Sequence, residues 1–454
     1  MSGPVVRLLR AAPDPLALAR ALGGRPGLAV LASCPVGAPR ADDARWSFVA
    51  SDPVDASDDL VPPAGEGDAG GPAPRWIGVV PYEALRAGER PAWTRAPDDR
   101  PPSPLAAPAW RRYAAVVRVD HATGEVAVVG DDDASVATMV RRLSAGSSRA
   151  CDYALRILPP DEAPVAHVAR VRAALELIAE GDLYEVNLAR RIPLEVRGDA
   201  LSLFTSLLEA APAPWGFLQV LDSSDRSSVV CGTSPELALS VRGRALRTCP
   251  VKGTRPRGRD AAEDAAAARA LEEDPKERAE LTMAVDVHRN DLGRVAVPGS
   301  VHVPFGPRVV AGRTVWSRMT EVLATRAPGI PLDDVARATL PCGSITGAPK
   351  VRAMEVIARL EPHRRGAYTG VFGWVGRGGR HGPHDAHDGW EGLERLELAM
   401  AIRTLQWDSA SGEGAYFAGG GIVADSVPER ELEETRWKAA QLVALEVGRA
   451  ADSR

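Results

Sequence analysis

The sequence predicts a mixed α/β fold of the α+β kind, and three features carry that expectation. Stretches suited to helices recur at 164–180, 258–295, 349–360 and 428–449, most with apolar residues at helical spacing. Between them lie short β-rich runs: SVVCGT (228–233), LALSVRG (237–243), AYTGVFGWVG (367–376), LELAMAIRTLQW (396–407) and GAYFAGGGIV (414–423). The chain has 454 residues, enough for two to four domains or for one large domain with a smaller companion.

Taken in order, the first 150 residues are rich in Pro, Gly, Ala and Asp. The tracts at 61–74 and 95–108 read as surface loops between short strands. Strands are expected at 28–32, 46–50 and 114–119. The last is followed by the turn DHATGE and a second apolar run at 126–130, which together read as a β-hairpin. A boundary is expected near 150–162. The helix at 164–180 stops at Gly181. Residues 258–295 read as one long helix. The helix at 349–360 opens with Pro349, and that at 428–449 opens with Pro428 after a cap at Ser426. Residues 377–392, which hold three histidines, read as an inserted loop, and no internal repeat is visible.

Bulk properties narrow the class. The net charge of -5 is too small to point to nucleic acid or an acidic membrane surface. The cysteines, Cys34, Cys151, Cys231, Cys249 and Cys342, are odd in number and form no C-x-x-C pair, which predicts reduced thiols and a cytoplasmic protein. No apolar run is long enough for a signal peptide or a membrane span.

Several clusters are suited to chemistry. Glu277 and Glu280 lie three apart on one expected helix, and Glu431 and Glu434 on another, so each pair shares a helix face. Such pairs are either solvated acidic faces or, if the helices meet, a cation site. Mg²⁺ suits the second case, taking one or two carboxylates, waters and an anionic substrate group. PVKGTRPRG (250–258) reads as a loop after a strand. Lys252 there is either part of a basic turn or, if burial lowers its pKa, an amine nucleophile. Glu236, in Ser234-Pro235-Glu236, is a turn residue or a general acid kept protonated in a dry pocket. GSITGAPK (343–350) leads into a helix whose exposed N–H groups suit a carboxylate, and Gly419-Gly420-Gly421 allows close backbone approach. His288 reads as a helix-packing or a catalytic histidine.

Together these stretches resemble the chorismate-binding family: anthranilate synthase large subunits, aminodeoxychorismate synthase component I, isochorismate synthases and salicylate synthases. The resemblance covers about 164–445 and rests on GDLYEVNLARR (181–191), TSPELALSV (233–241), CPVKGTRPRG (249–258), ERAELTMAVDVHRNDLGRV (277–295), CGSITGAPKVRAMEVI (342–357), AMAIRT (399–404) and GGGIVADSVPERELEET (419–435). It implies two packed antiparallel sheets in a sandwich with helices outside. It also implies a variable N-terminal domain over 1–155 and a chorismate-binding catalytic domain over 156–454. Glu280 and Glu434 would hold Mg²⁺, supported by Glu277 and Glu431. Gly420, Gly421 and Lys438 would line the pocket for the ring carboxylate, Tyr368 and Arg403 would hold the enolpyruvyl group, and Ser344 and Thr346 would complete the substrate site. Glu236 would protonate the departing 4-hydroxyl.

Within the family the nearest resemblance is to aminodeoxychorismate synthase component I. Those enzymes carry lysine at the position of Lys252, where anthranilate synthases have alanine. Lys252 would attack C2 as the hydroxyl leaves, and ammonia would then enter at C4. Members that add water have lysine at the position of Glu185 and ammonia users have glutamine, so Glu185 departs from both. Ser317 stands where the family often has histidine. No cysteine lies in a G-x-C-x-G elbow, so ammonia is expected from a separate glutamine amidotransferase subunit. The expected product is 4-amino-4-deoxychorismate for 4-aminobenzoate and folate synthesis. The alternatives are an anthranilate or 2-amino-2-deoxyisochorismate synthase, and a non-catalytic subunit that binds an amidotransferase.

Overall fold

Alternation of apolar and small polar residues gives most of the β-rich runs two usable faces, and the chain stacks them into layers. The computed structural model describes residues 4–65, 71–88, 98–146, 151–222, 227–378 and 393–447. A twelve-stranded sheet runs in the order Val5–Leu9, Glu125–Gly130, Ala115–Asp120, Trp46–Ala50, Ala29–Ser33, Trp215–Asp222, Ser227–Ser234, Thr404–Asp408, Glu413–Ile422, Glu185–Gly198, Gly347–Ala348, with Tyr153–Ile157 also paired to the Glu185–Gly198 strand. An eight-stranded sheet runs Val322–Thr325, Ala245–Cys249, Leu237–Arg242, Leu393–Met400, Val371–Gly378, Ala73–Val80, Ala109–Arg112, Asp55–Ser57. The ladders are antiparallel, as in the strand pairs Glu185–Gly198 with Glu413–Ile422 and Leu237–Arg242 with Leu393–Met400.

The two sheets face each other across an apolar core. Phe217 of the larger sheet stacks on Phe372 of the smaller at 3.6 Å between centroids, and Phe48 meets Trp374 at 5.6 Å. Helices cover the outside. Ala200–Ala210 places Leu203, Phe204 and Leu207 in a cluster with Leu442 and Leu445, and Lys350–Leu360 places Met354, Val356 and Ile357 in another. The sandwich with outer helices is therefore present. In each sheet the strands from before residue 155 form one block and those from after it another, and the blocks join at one seam: Ala29–Ser33 pairs with Trp215–Asp222, and Ala73–Val80 with Val371–Gly378. Among the described residues no helix is long and apolar enough to cross a membrane.

The hairpin at 115–130 forms as expected, with Asp120 facing Glu125 at its turn. Other expectations need correction. The stretch 258–295 is two helices, Ala261–Glu273 and Pro275–Gly293. Asp274 ends the first and caps the second, its carboxylate accepting from the N–H groups of Lys276 and Glu277. The final segment likewise splits into Pro428–Lys438 and Ala440–Val447, and the residue before Pro428 is Val427, not a Ser426 cap. Ser426 accepts from the N–H of Val423 instead. The run at 396–407 is two strands separated at Arg403, whose φ is 51°. The inserted loop falls, from 379 to 392, outside the described residues.

Candidate functional site

The site lies where the Glu185–Gly198 and Glu413–Ile422 strands, the Val251–Pro256 strand and the helices Pro275–Gly293 and Pro428–Lys438 converge. Expected to be a loop, 251–256 is a strand paired with Val315–Met319 and broken by a bulge between Lys252 and Thr254. Gly253 sits in the bulge at φ 78°, and a Cβ there would come within 2.7 Å of Glu277 Oε2. The bulge takes up the glycine, so the strand continues to Pro256. It also lets Lys252 turn inward.

Lys252 is 8% exposed and forms an ion pair with Glu185, which is 1% exposed. Burial works against the ammonium. Glu185 and Glu280, the hydrogen bond to Glu185, and Glu236 outweigh it, so Lys252 is held above the ordinary amine range. The expectation of a lowered pKa is therefore wrong for this state, because the lysine is buried among carboxylates.

Glu185 opens its strand, opposite Ala348. Two residues on, and so on the same face, Asn187 Nδ2 donates to Glu185 Oε1 at 3.2 Å and to the Ser344 carbonyl at 3.2 Å. The Ser344 hydroxyl donates in turn to Glu236 Oε1 at 2.5 Å. Burial pushes Glu236 up to about 7, against the opposing effects of Ser344 and Lys252. One polar chain thus connects the lysine's partner to a buried carboxyl held well above the usual carboxylate range.

The three glycines serve different neighbours. A Cβ at Gly421 would collide with Glu185 Oε1 and come within 3.3 Å of Lys252 Nζ. At Gly420 it would sit 3.1 Å from Glu434 Oε1 and 3.2 Å from Glu431 Oε2. Gly419 accepts from Lys438 Nζ at 2.8 Å, and that amine also pairs with Glu434 at 2.7 Å.

Glu277 is held by Arg255 at 3.0 Å. Lys276 lies 3.6 Å from Glu280 Oε1 and 4.0 Å from Glu431 Oε1, so one ammonium is shared by the two carboxylate helices. Glu280 is pushed up to about 7, first by burial and then by Glu185 and Glu277, with Lys252 opposing. Burial also raises Glu431, whereas Lys438 draws Glu434 down against its own burial. These residues fit a divalent cation in donor chemistry: hard oxygens from two helices surround a position where positive charge is already held. Among the described residues no three ligands are preassembled around one point. A cation here would be held by one or two glutamates, with waters and substrate oxygen completing its shell.

Tyr368 is buried and stacks on Phe417 at 5.4 Å, with the Arg365 guanidinium 5.8 Å from its ring. Burial draws the Arg403 guanidinium below its ordinary range, with Tyr416 opposing, and among the described residues it forms no ion pair with a carboxylate. Thr346 donates its hydroxyl to the Cys342 carbonyl at 2.9 Å. The segment 343–348 is buried, so its N–H groups are not exposed as expected. Ser317 lies opposite Thr254 on the neighbouring strand. His288 is buried on Thr248 at 3.1 Å, and burial lowers it to about 3, which makes it a neutral packing residue.

Two supports were not expected from the sequence. Arg365 donates to Glu361 at 2.7 and 2.9 Å, to the Asn187 and Ile345 carbonyls, and to Thr369. Lys350 pairs with Asp291 at 3.0 Å, pinning its helix to Pro275–Gly293. A groove of about 990 Å³ runs outside that pair, past Met283, Val287 and Val351. Neither Lys252, Glu185 nor Glu236 lines it, so the site is located by its chemistry and not by volume.

Comparison with known proteins agrees with this arrangement. The profile described as chorismate binding enzyme matches residues 42–444, well beyond the stretch from 164 expected from the motifs. The chain is 40% identical over 283 residues to anthranilate synthase component 1 of Streptomyces coelicolor, covering 62% of this chain and 52% of that protein. It is 39% identical over 264 residues to aminodeoxychorismate synthase component 1 of Bacillus subtilis, covering 58% and 52%. It thus spans about half the length of these two relatives. The crystal structure of anthranilate synthase component I from Streptococcus pneumoniae superposes with a TM-score of 0.68 at 26% identity, covering 88% of this chain and 92% of that one. A match that begins before the Trp46–Ala50 strand and ends in the last helix, on a fold shared with that solved structure, means that this chain belongs to the chorismate binding enzyme family.

Proposed function

We propose that the protein aminates chorismate at C4, using ammonia from a separate glutamine amidotransferase subunit, to give 4-amino-4-deoxychorismate for 4-aminobenzoate and folate synthesis. The observation that carries this reading is the buried Lys252, paired with Glu185 and joined through Asn187 and Ser344 to Glu236, which burial pushes up to about 7. Hydroxide leaves poorly, and Glu236 supplies the proton that lets the 4-hydroxyl depart as water. Arg403 would offer charge to a substrate carboxylate, and Tyr368, stacked on Phe417, would offer a flat wall. Mg²⁺ bound by Glu280 and Glu434, with Glu277 and Glu431 behind them, would supply positive charge to the ring carboxylate as the leaving group departs.

Product analysis with chorismate, ammonium and Mg²⁺ tests the reading. The wild type should form the 4-amino product. Lys252→Ala should not, while still binding chorismate. Unchanged 4-amino product from Lys252→Ala would remove the lysine from the chemistry.

The second reading is amination at C2, favoured by the 40% identity to a relative named anthranilate synthase component 1. It calls for a 2-amino product whose formation does not depend on the Lys252 amine.

A further inference from the structure

The reading of Lys252 as a nucleophile leaves one proton unaccounted for. The geometry holds this lysine as an ammonium, which has no lone pair with which to attack. Its contact is Glu185, at the start of the Glu185–Gly198 strand. Both side chains are out of solvent, so water has poor access to carry the proton away. Asn187 fixes the same carboxylate oxygen that Lys252 touches. Gly421 leaves the clearance the pair needs, since a Cβ there would overlap Glu185 Oε1. Glu236, on the far side of the Asn187–Ser344 chain, already has a task as the acid for the leaving hydroxyl. The remaining groups that interact electrostatically with the pair are Glu280 and His288 from the helix Pro275–Gly293 and Glu434 from the helix Pro428–Lys438. Lys276 is committed to Glu280 and Glu431.

We propose that Glu185 is the base that accepts the proton of Lys252 as the lysine attacks C2, and that it returns the proton when the lysine leaves. This rests on the C4-amination reading given above and adds to it a residue whose part was open.

The steps balance. The Lys252 ammonium passes one proton to the Glu185 carboxylate. The free amine forms a bond to C2, the ring double bond shifts, and the C4–O bond breaks. The oxygen leaves as water with the proton of Glu236. Ammonia then bonds to C4 with the reverse shift, and the C2–N bond breaks. Lys252 leaves as a neutral amine and recovers its proton from Glu185. The product carries an ammonium at C4, and Glu236 is reprotonated from solvent.

Glu185→Gln is the direct test, because glutamine keeps the shape and the hydrogen bond from Asn187 but cannot take a proton. Two measurements are needed. The first uses limiting acetic anhydride on the metal-free, substrate-free protein and reads acetylation of Lys252 by peptide mass spectrometry across pH. Loss of the carboxylate should make the amine easier to acylate, moving the midpoint to lower pH. The second is steady-state formation of the 4-amino product, where kcat should fall by at least tenfold, in line with the usual contribution of a positioned base, with KM for ammonium little changed. Faster acylation together with slower turnover is the signature of a proton acceptor. Glu185→Asp, which retains a base at shorter reach, should recover part of the lost turnover and covers the case in which the glutamine variant does not fold. Turnover at or above the wild-type rate in Glu185→Gln overturns the proposal, since Glu185 would then only silence the amine. An unmoved acylation midpoint overturns it too. Lys252→Ala run in parallel separates the failures: product from that variant sinks the nucleophile itself, whereas loss there with full turnover in Glu185→Gln sinks only the role of Glu185.

Discussion

Replacing Glu236 by glutamine should make the protein more stable at alkaline pH and nearly inactive, and the two effects should come from the same proton. Burial moves this carboxyl from 4.5 to about 7 in the folded chain. The sign follows from which state binds the proton more tightly. Below the unfolded value both states are protonated and nothing is lost. Between 4.5 and about 7 the folded state keeps its proton while the unfolded chain gives it up, so stability falls as pH rises through that window. At 1.36 kcal/mol per unit, the loss is complete above about pH 7 and amounts to about 3 kcal/mol. Glutamine has no proton to lose and can still accept from the Ser344 hydroxyl. Urea unfolding of both proteins at pH 5 and pH 8 should therefore show Glu236→Gln gaining about 2.5 kcal/mol on the wild type between the two conditions. Turnover should fall by about 10²–10⁴ through loss of the acid. The wild-type rate should also decline as pH rises through about 7, a limb absent from the residual rate of the variant. A stability difference that does not change with pH, or a variant within tenfold of wild-type turnover, would refute the assignment of a protonated acid here.

The other expectations are simpler to check. Glu280→Gln or Glu434→Gln should raise the Mg²⁺ concentration needed for half-maximal activity and cut turnover severely; wild-type activity at limiting Mg²⁺ in either variant counts against the metal assignment. The purified chain should use ammonium and not glutamine, and glutamine-dependent amination without a second subunit would contradict the expected partner. Arg365→Met should cost about 3–5 kcal/mol, because it strands Glu361 in a buried position; a shift in the urea midpoint worth under 1 kcal/mol would show that the network is not structural.

Local signals made much of the scaffold readable. The 46–50 strand and the hairpin at 115–130 follow from alternation and turn chemistry, and Gly420 and Gly421 lie where two pairs of charged side chains need room. Of the local failures, two lie at helix caps, one at the bulge after Lys252 and one at the positive φ of Arg403. Asp274 followed by Pro275 divides a continuous helical pattern, a stop-and-start signal that apolar periodicity hides. At the site, residue types were legible and their charge states were not. Lys252 is set by Glu185, Glu280 and Glu236, which come from three separate parts of the chain. The spacing of Glu185 and Asn187 did carry a signal, since alternate strand residues share a face. For Arg365 the i,i+4 spacing to Glu361 is readable, but its contacts with the Asn187 and Ile345 carbonyls are brought to it by the fold and leave no local signal.

The two seams between early and late strands set a timetable for synthesis. Val80 pairs with Val371, and Ala29–Ser33 waits for Trp215–Asp222. At ribosomal rates the Ala73–Val80 strand emerges on the order of 15–60 s before its neighbour Val371–Gly378. Throughout that interval the strand edge that later pairs with Val371–Gly378 stays unpaired in the nascent chain. The yield of folded protein should therefore depend on elongation rate and on chaperones that shield the first hundred residues, more than on the stability of the finished sandwich.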